Sequence, residues 1–184
     1  MKEMIVLIGK TSSNVDYVIR YPKISDVNSA YQYINKLSKE KTYIRFQGEK
    51  ISYEDEKKWL IKRIKDIKNK KTITLFLIIN YKICGICNID LHDKTESHVG
   101  ALGLSIDKTM RNQGLGKILI ETTIKETKKK LKKLKIITLD VMDPNKKALS
   151  LYKKSGFKQY GFLPKGTTYR NRLVDRISMY LAIS

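Results

Sequence analysis

Apolar side chains recur along this chain with two periods. Residues 4–8 and 15–20 are short apolar runs joined by the polar turn Lys10-Thr11-Ser12-Ser13-Asn14, and Pro22 closes the second. Runs of that length between turn residues predict strands. Val27, Ala30, Tyr31, Ile34 and Leu37 then fall at helical spacing. They predict a helix that Ser25 or Asp26 caps and that runs to about Lys39. Thr42 to Phe46 reads as a short strand-like piece, turned by Gln47-Gly48-Glu49. Ser52 opens a second helix, with Trp59, Leu60, Ile64 and Ile67 as its apolar stripe. Glu54, Asp55 and Glu56 fall in its first turn, where carboxylates complement the positive end of the helix dipole.

Two strands are expected next, Ile73 to Ile79 and Ile83 to Leu91, separated by Asn80-Tyr81-Lys82. A polar loop over 92–97 leads to a strand over 98–106. A helix from Gly114 to about Lys133 follows, then a strand from Ile136 to Val141. Asp143-Pro144-Asn145 starts a short helix over 145–155, and Gly156 sits where a C-terminal cap belongs. Phe157 to Phe162 and Leu173 to Ala182 are the last strands, with Pro164-Lys165-Gly166 in the loop between them. Helices and strands interleave with several hairpins and no repeat. The expected fold class is therefore α/β with a mixed sheet, in one domain over 1–184.

Composition narrows the function classes. Apolar residues make up 41% of the chain, ordinary for a globular protein. No segment approaches the roughly 20 apolar residues of a membrane span. The first residues turn polar too soon for a secretory signal, so a cytoplasmic location is expected. The formal net charge is +20. Nucleic acid, an anionic surface and a highly charged cofactor all suit that charge. The lysines are spread widely, though, and RNA-binding and helix-turn-helix signatures are not evident, so nucleic acid is not the favoured partner. Cys84 and Cys87 with His92 and His98 lack the spacing of a zinc site, and no metal is expected.

The chemistry concentrates in two stretches. In the first, the strand ending at Ile106 is followed by Asp107-Lys108-Thr109-Met110-Arg111-Asn112-Gln113-Gly114-Leu115-Gly116-Lys117 and then a helix. A strand, a glycine loop and a helix start aim several N–H groups at one point, which suits an anion. Two phosphate motifs fail here. A dinucleotide fingerprint needs a small residue where Leu119 stands, and a P-loop needs glycine at Arg111 and serine or threonine at Ile118. The second stretch is Asn145 to Phe157, where Asn145, Ala148, Leu149 and Tyr152 share a helix face.

Together, Arg111-x-x-Gly114-x-Gly116 and Asn145-x-x-Ala148-x-x-Leu151-Tyr152-x-x-x-Gly156-Phe157 closely resemble the GNAT superfamily of acetyl-CoA-dependent N-acetyltransferases. The strand from His98 to Ile106 and the pair Asp175 and Met179 extend the resemblance. It implies a central mixed, mainly antiparallel sheet of about seven strands with about four helices. It also implies acetyl-CoA (coenzyme A) as co-substrate and an amine-bearing acceptor such as a protein N-terminus, a polyamine or a small amine. Many family members are dimers, so a homodimer is an expectation too.

Residue by residue, the resemblance implies that the N–H groups of Asn112, Gln113, Gly114, Leu115, Gly116 and Lys117, with Arg111 beside them, hold the pyrophosphate. Leu104, Ser105 and Ile106 would pair with pantetheine on a strand that bulges and splays from the next. The Ile106 region would stabilise the thioester oxyanion. Asn145 would bind pantetheine or an ordered water, Ala148 would belong to the cofactor site, and Lys146, Lys147 or Lys154 would meet the 3′-phosphate. Tyr152 takes the general-acid position, and an ordinary tyrosine pKa of about 10 keeps it protonated against a thiol near 8.5. The resemblance leaves the base open; the residues themselves offer Glu56 and Glu54 at the start of the second helix, Asp90 on a strand beside it, and His98 as a further candidate. Residues 99–106 lack the carboxylate that some N-terminal acetylating members carry. The acceptor side is expected from the first two helices and the 163–172 loop.

Overall fold

The computed structural model describes residues 4–183. The first three residues, which entered the reading of the N-terminus, and Ser184 lie outside it. Eight strands form one sheet: β1 (Ile5–Lys10), β2 (Asp16–Arg20), β3 (Thr72–Ile79), β4 (Lys82–Leu91), β5 (Val99–Ile106), β6 (Ile136–Met142), β7 (Lys158–Tyr169) and β8 (Arg172–Ala182). Four helices flank it: α1 (Val27–Lys39), α2 (Tyr53–Lys68), α3 (Leu115–Lys130) and α4 (Lys146–Lys154). The strand order is β1-β2-β3-β4-β5-β6-β8-β7, and every pair is antiparallel except β5 with β6. The fold is the mixed, mainly antiparallel sheet expected, with eight strands.

Two apolar layers clothe this sheet. On one face, Val27, Ala30, Tyr33 and Leu37 of α1 and Leu60 of α2 pack on Phe76 and Ile83. On the other, Leu115, Leu119 and Ile120 of α3 and Leu149 and Tyr152 of α4 pack on Leu75, Leu77, Cys87, Ile137, Leu139 and Met179. A central strand served from both sides must be apolar at nearly every position, which explains the run Thr-Ile-Thr-Leu-Phe-Leu-Ile-Ile of β3. Each fully buried leucine or phenylalanine contributes roughly 1.5–3 kcal/mol by leaving water.

Four local expectations change. Asp26 does not cap α1 with its side chain. It takes a bidentate bond from the buried Arg20 guanidinium, 2.7 Å at each oxygen, and one from the Lys23 N–H. Residues 42–46 form no strand, because the Gln47 amide donates to the carbonyls of Thr42, Ile44 and Phe46 and satisfies them locally. α3 stops at Lys130 rather than Lys133, because Leu131 and Leu134 turn into the core.

The fourth change is at β7, which runs through Pro164 to Tyr169. Its register with β8 shifts between Leu163 and Thr167, so Pro164, Lys165 and Gly166 form a bulge rather than the end of the strand. As an edge strand, β7 loses no ladder bond to the proline. The turn is at Arg170 and Asn171, both at positive φ. Two such residues suit a tight hairpin.

Candidate active site

β5 and β6 diverge. They pair only at Val99 with Ile136, Gly100 with Ile137 and Ala101 with Thr138. Beyond those positions β5 stays registered on β4 without interruption through Ile106, so the expected bulge in β5 is absent while the splay is present. The irregularity lies on the neighbouring strand, where the register slips between Leu77 and Ile78 and leaves Cys84 as the extra residue. The gap between β5 and β6 opens into a cavity of ≈ 1670 Å³.

Strand alternation fixes which backbone groups face that gap. The Asp107 N–H donates to Cys84 O on β4 at 2.8 Å. Successive residues point opposite ways, so Ile106 and Leu104 turn their N–H and C=O groups toward the open edge. Consistently, Ile106 O accepts from Arg111 Nε at 2.8 Å rather than from β4. The strand edge therefore offers unpaired backbone groups to an extended ligand.

At the end of this edge the chain folds into the glycine loop. Asp107 Oδ1 accepts from the N–H and Oγ1 of Thr109, and a short 3-10 helix over Lys108–Met110 follows. Asn112 and Gly114 take positive φ of 64° and 75° before α3 begins. The first N–H groups of α3 have no carbonyl within the helix and face the helix-dipole positive end outward. The two glycines differ in role. A Cβ at Gly114 would meet nothing within 4 Å, so it is the positive φ and not crowding that favours glycine there. A Cβ at Gly116 would stand 3.3 Å from Leu151 Cδ2, so that glycine lets α3 lie close to α4.

Arg111 was expected to add charge to the anion site. Its guanidinium is instead tied to Ile106 O and, at 2.6 Å, to Glu40 Oε2. Lys36, one turn earlier on α1, holds Asp107 Oδ2 at 2.5 Å. Burial would raise the Asp107 carboxyl, but the Lys36 ammonium and the Thr109 donors hold it below its ordinary value. Lys117 and Lys147 border the cavity, with Lys147 Nζ 3.2 Å from Asn112 Oδ1.

Asn145 caps α4, its Oδ1 accepting from the Ala148 N–H at 3.2 Å. Asn145 lines the cavity, and its carboxamide NH2 donates to no described residue. One face further along, Tyr152 is 8% exposed and packs edge-on to Phe157. Its hydroxyl hydrogen bonds to no described residue while the ring lines the cavity. Burial, with the Cys87 thiol nearby, pushes the phenol well above its usual value. It stays protonated through the physiological range.

Several sequence-derived positions lie elsewhere. Leu104, Ser105, Ile106, Arg111, Asn112, Gly114, Gly116, Lys117, Asn145, Ala148 and Tyr152 line the cavity. Gln113 and Leu115 do not: the Gln113 amide bonds to Thr109 O and Ser13, and Leu115 is in the core. Lys154 borders a separate depression on the outer side of α4. Glu56 is buried on α2, 6% exposed and outside the lining residues, and burial pushes its carboxyl up to about 7.

The opposite mouth of the cavity lies on the α1/α2 face. Register carries the assignment across the sheet: Phe76 pairs with Ile86, Ile86 with Ser105, Asn88 with Gly103, Ala101 with Thr138, and Asp140 with Ser178. Paired residues share a face, so Asn88, Asp90, Ser105, Thr138, Asp140, Arg176 and Ser178 all point to the α1/α2 side. Ser105 Oγ and the Tyr33 hydroxyl are 2.9 Å apart. Asp90 bonds to Arg63 and Asn88. The ring of Tyr43 stacks on that of Tyr169 at the tip of the β7–β8 hairpin, 4.5 Å between centroids, roofing this mouth. Asp140, Arg176, Arg45 and Tyr43 were not singled out from sequence. The signal present was polar Thr138 and Asp140 alternating with buried Ile137, Leu139 and Val141.

The sequence profile described as "Acetyltransferase (GNAT) family" matches residues 32–157. A search of curated proteins finds no match to this sequence. Among solved structures, an acetyltransferase of the GNAT family from Streptococcus pneumoniae is similar at a TM-score of 0.82 and 28% identity, covering 91% of this chain and 99% of that one. A ribosomal-protein-alanine N-acetyltransferase from Brucella melitensis follows at 0.79 and 18% identity, covering 90% and 99%. RimL, a ribosomal α-N-protein acetyltransferase in complex with coenzyme A, is similar at 0.81 and 12% identity, covering 97% and 98%. A parted β5–β6 edge that ends on a glycine loop, with a protonated tyrosine on its wall, agrees with the profile match, and the chain belongs to the GNAT family of acetyltransferases.

Proposed function

We propose that this acetyltransferase moves the acetyl group of acetyl-CoA to a primary amine by direct attack. The observation that carries the reading is the parting of β5 from β6 after Ala101 and Thr138, which leaves a strand edge running into the 112–117 loop. Acetyl-CoA supplies an activated thioester carbonyl. The loop and the start of α3 suit its pyrophosphate, and the edge groups of Leu104 and Ile106 suit the amides of pantetheine. Asn145 lines the same cavity.

The amine arrives from the α1/α2 face as the neutral base. Its nitrogen forms a bond to the carbonyl carbon, and negative charge develops on the carbonyl oxygen. The Ile106 N–H, on the open edge, is the donor for that oxygen. The carbon–sulfur bond then breaks, and the departing sulfur takes its proton from the Tyr152 hydroxyl. A proton leaving the amine restores the phenol through water. Among cleft carboxylates, both oxygens of Asp90 are occupied, whereas Asp140 Oδ2 accepts no hydrogen bond from a described residue. Deprotonation of the ammonium falls to water or to Asp140 rather than to Glu56.

The test is an amine panel with acetyl-CoA, reading thiol release, beside titration of coenzyme A binding. Acetyl transfer to at least one amine class, with binding that depends on the glycine loop, is the expected result. Coenzyme A binding without turnover of any amine would leave a cofactor-binding protein and sink the proposal.

A further inference from the structure

Two arginines on the acceptor side of the cleft have no hydrogen-bond partner among the described residues. Arg176 Nε is buried and unbonded, and its nearest carboxylate oxygen, Asp140 Oδ2, is 3.9 Å away. Arg45, on the segment between α1 and α2, makes no ion pair or hydrogen bond. Both line the cavity.

The carboxylates there are in the opposite condition. Arg63 and the Asn88 amide take the two oxygens of Asp90. Ser178 Oγ, at 2.6 Å, takes Asp140 Oδ1. Asp140 Oδ2 is left only a loose ion pair with Arg176, so this mouth holds one arginine with no carboxylate partner, Arg45, and one held loosely, Arg176.

Resting on the acetyltransferase reading, we infer that the acceptor carries an anionic group, a carboxylate or a phosphate, close to its reacting amine, and that Arg176 and Arg45 bind it. A guanidinium presents a planar fork of donors that matches carboxylate and phosphate oxygens two at a time. The Arg176 side chain is 40% exposed and lines the cavity, so the part of its guanidinium beyond the enclosed Nε is open to a ligand oxygen. A polyamine meets the reverse situation: its second ammonium finds one oxygen, beside two arginines, on a chain of net charge +20. That charge also draws an anionic acceptor toward the cleft and repels a polycation.

The experiment compares kcat/KM for matched acceptors. The pairs are an amino acid and its amide, phosphoethanolamine and ethanolamine, and a peptide with aspartate beside its N-terminus and the same peptide with asparagine. Spermidine is added alone. Expected is a preference of about tenfold or more for the anionic member of at least one pair, from a charge-assisted contact. Which pair responds separates a free carboxylate, a phosphate and an acidic peptide. In Arg176→Met that ratio should fall toward one through a rise in KM. Arg45→Met, on an exposed segment, gives the same readout if the Arg176 variant does not fold. Turnover restricted to neutral amines or spermidine, or an anionic preference untouched by both variants, overturns this inference and leaves the acetyltransferase reading standing. Thiol release with no acceptor at all overturns both.

Discussion

Arg111 Nη2 donates to Glu40 Oε2 at 2.6 Å, and this contact joins the C-terminal end of α1 to the glycine loop. One turn earlier, Lys36 grips Asp107 at the loop's other end. The helix thus presents a cation to the loop's anion and an anion to its cation. Glu40 is nearly enclosed, and its second oxygen is buried without a partner. The pairing ties the Arg111 guanidinium to α1 as well as to the Ile106 carbonyl.

Glu40→Ala should therefore loosen residues 107–114 and weaken coenzyme A binding by about three- to tenfold, on the scale of a partly buried charged hydrogen bond. Titration calorimetry reads it. Tighter binding in the variant would instead mean that Glu40 withholds Arg111 from the phosphates.

Tyr152→Phe should lower kcat by about a hundredfold or more, the scale of one general acid, with coenzyme A affinity nearly unchanged. The pH profile carries the sharper prediction. Burial raises the phenol above its usual value, so its proton is retained through the whole alkaline range in which an ordinary tyrosine begins to ionise. The wild-type rate should rise as the amine deprotonates and then hold level through about pH 10, where an ordinary tyrosine would already be titrating. A falling limb between pH 8 and 9 would contradict the assignment of the acid.

Gly114→Ala should cost about 1 kcal/mol of stability, because alanine resists positive φ. It should also disturb the anion loop, since relaxing the strain turns the first N–H groups of α3. Gly116→Ala should act differently, by pressing on Leu151 and moving α4. Thermal melts with and without coenzyme A separate the two. The Gly114 variant should lose much of the ligand-induced shift, and the Gly116 variant should lower the melting temperature of both forms.

The parts of this protein legible in the sequence were local. The loop from Asp107 to Lys117 and the helix bearing Asn145 and Tyr152 each carry their signal within a dozen residues. Expectations failed where a side chain or a register reaches across the fold. Gln47 caps the carbonyls of 42–46, so a β-prone stretch forms no ladder. Pro164 stays inside β7 only because β7 is an edge, which strand order alone reveals. Asp140 and Arg176 become cleft residues through the register of β6 on β5 and on β8. The alternation in β6 marks Thr138 and Asp140 as one face, but only the register says which face of the sheet that is.

Glu56 gives the clearest separation of sequence logic from tertiary context. Its place in the first turn of a helix suggests an exposed carboxylate near the dipole, yet the side chain is buried beside Leu60 and burial lifts its pKa from 4.5 to about 7. A value near neutrality would suit a base, but the residue is outside the cleft lining. Below pH 4.5 both folded and unfolded chains hold the proton and the site costs nothing. Between 4.5 and about 7 the unfolded chain releases it while the folded chain keeps it, so stability falls as pH rises. Above that range the folded carboxylate is charged in a desolvated place and the loss is complete. Glu56→Gln should therefore melt above the wild type at pH 8 and show a smaller decline in melting temperature from pH 5 to pH 8. Its kcat should change less than about threefold, whereas loss of a general base costs about a hundredfold or more. A hundredfold fall with an unaltered melting curve would return Glu56 to the catalytic site.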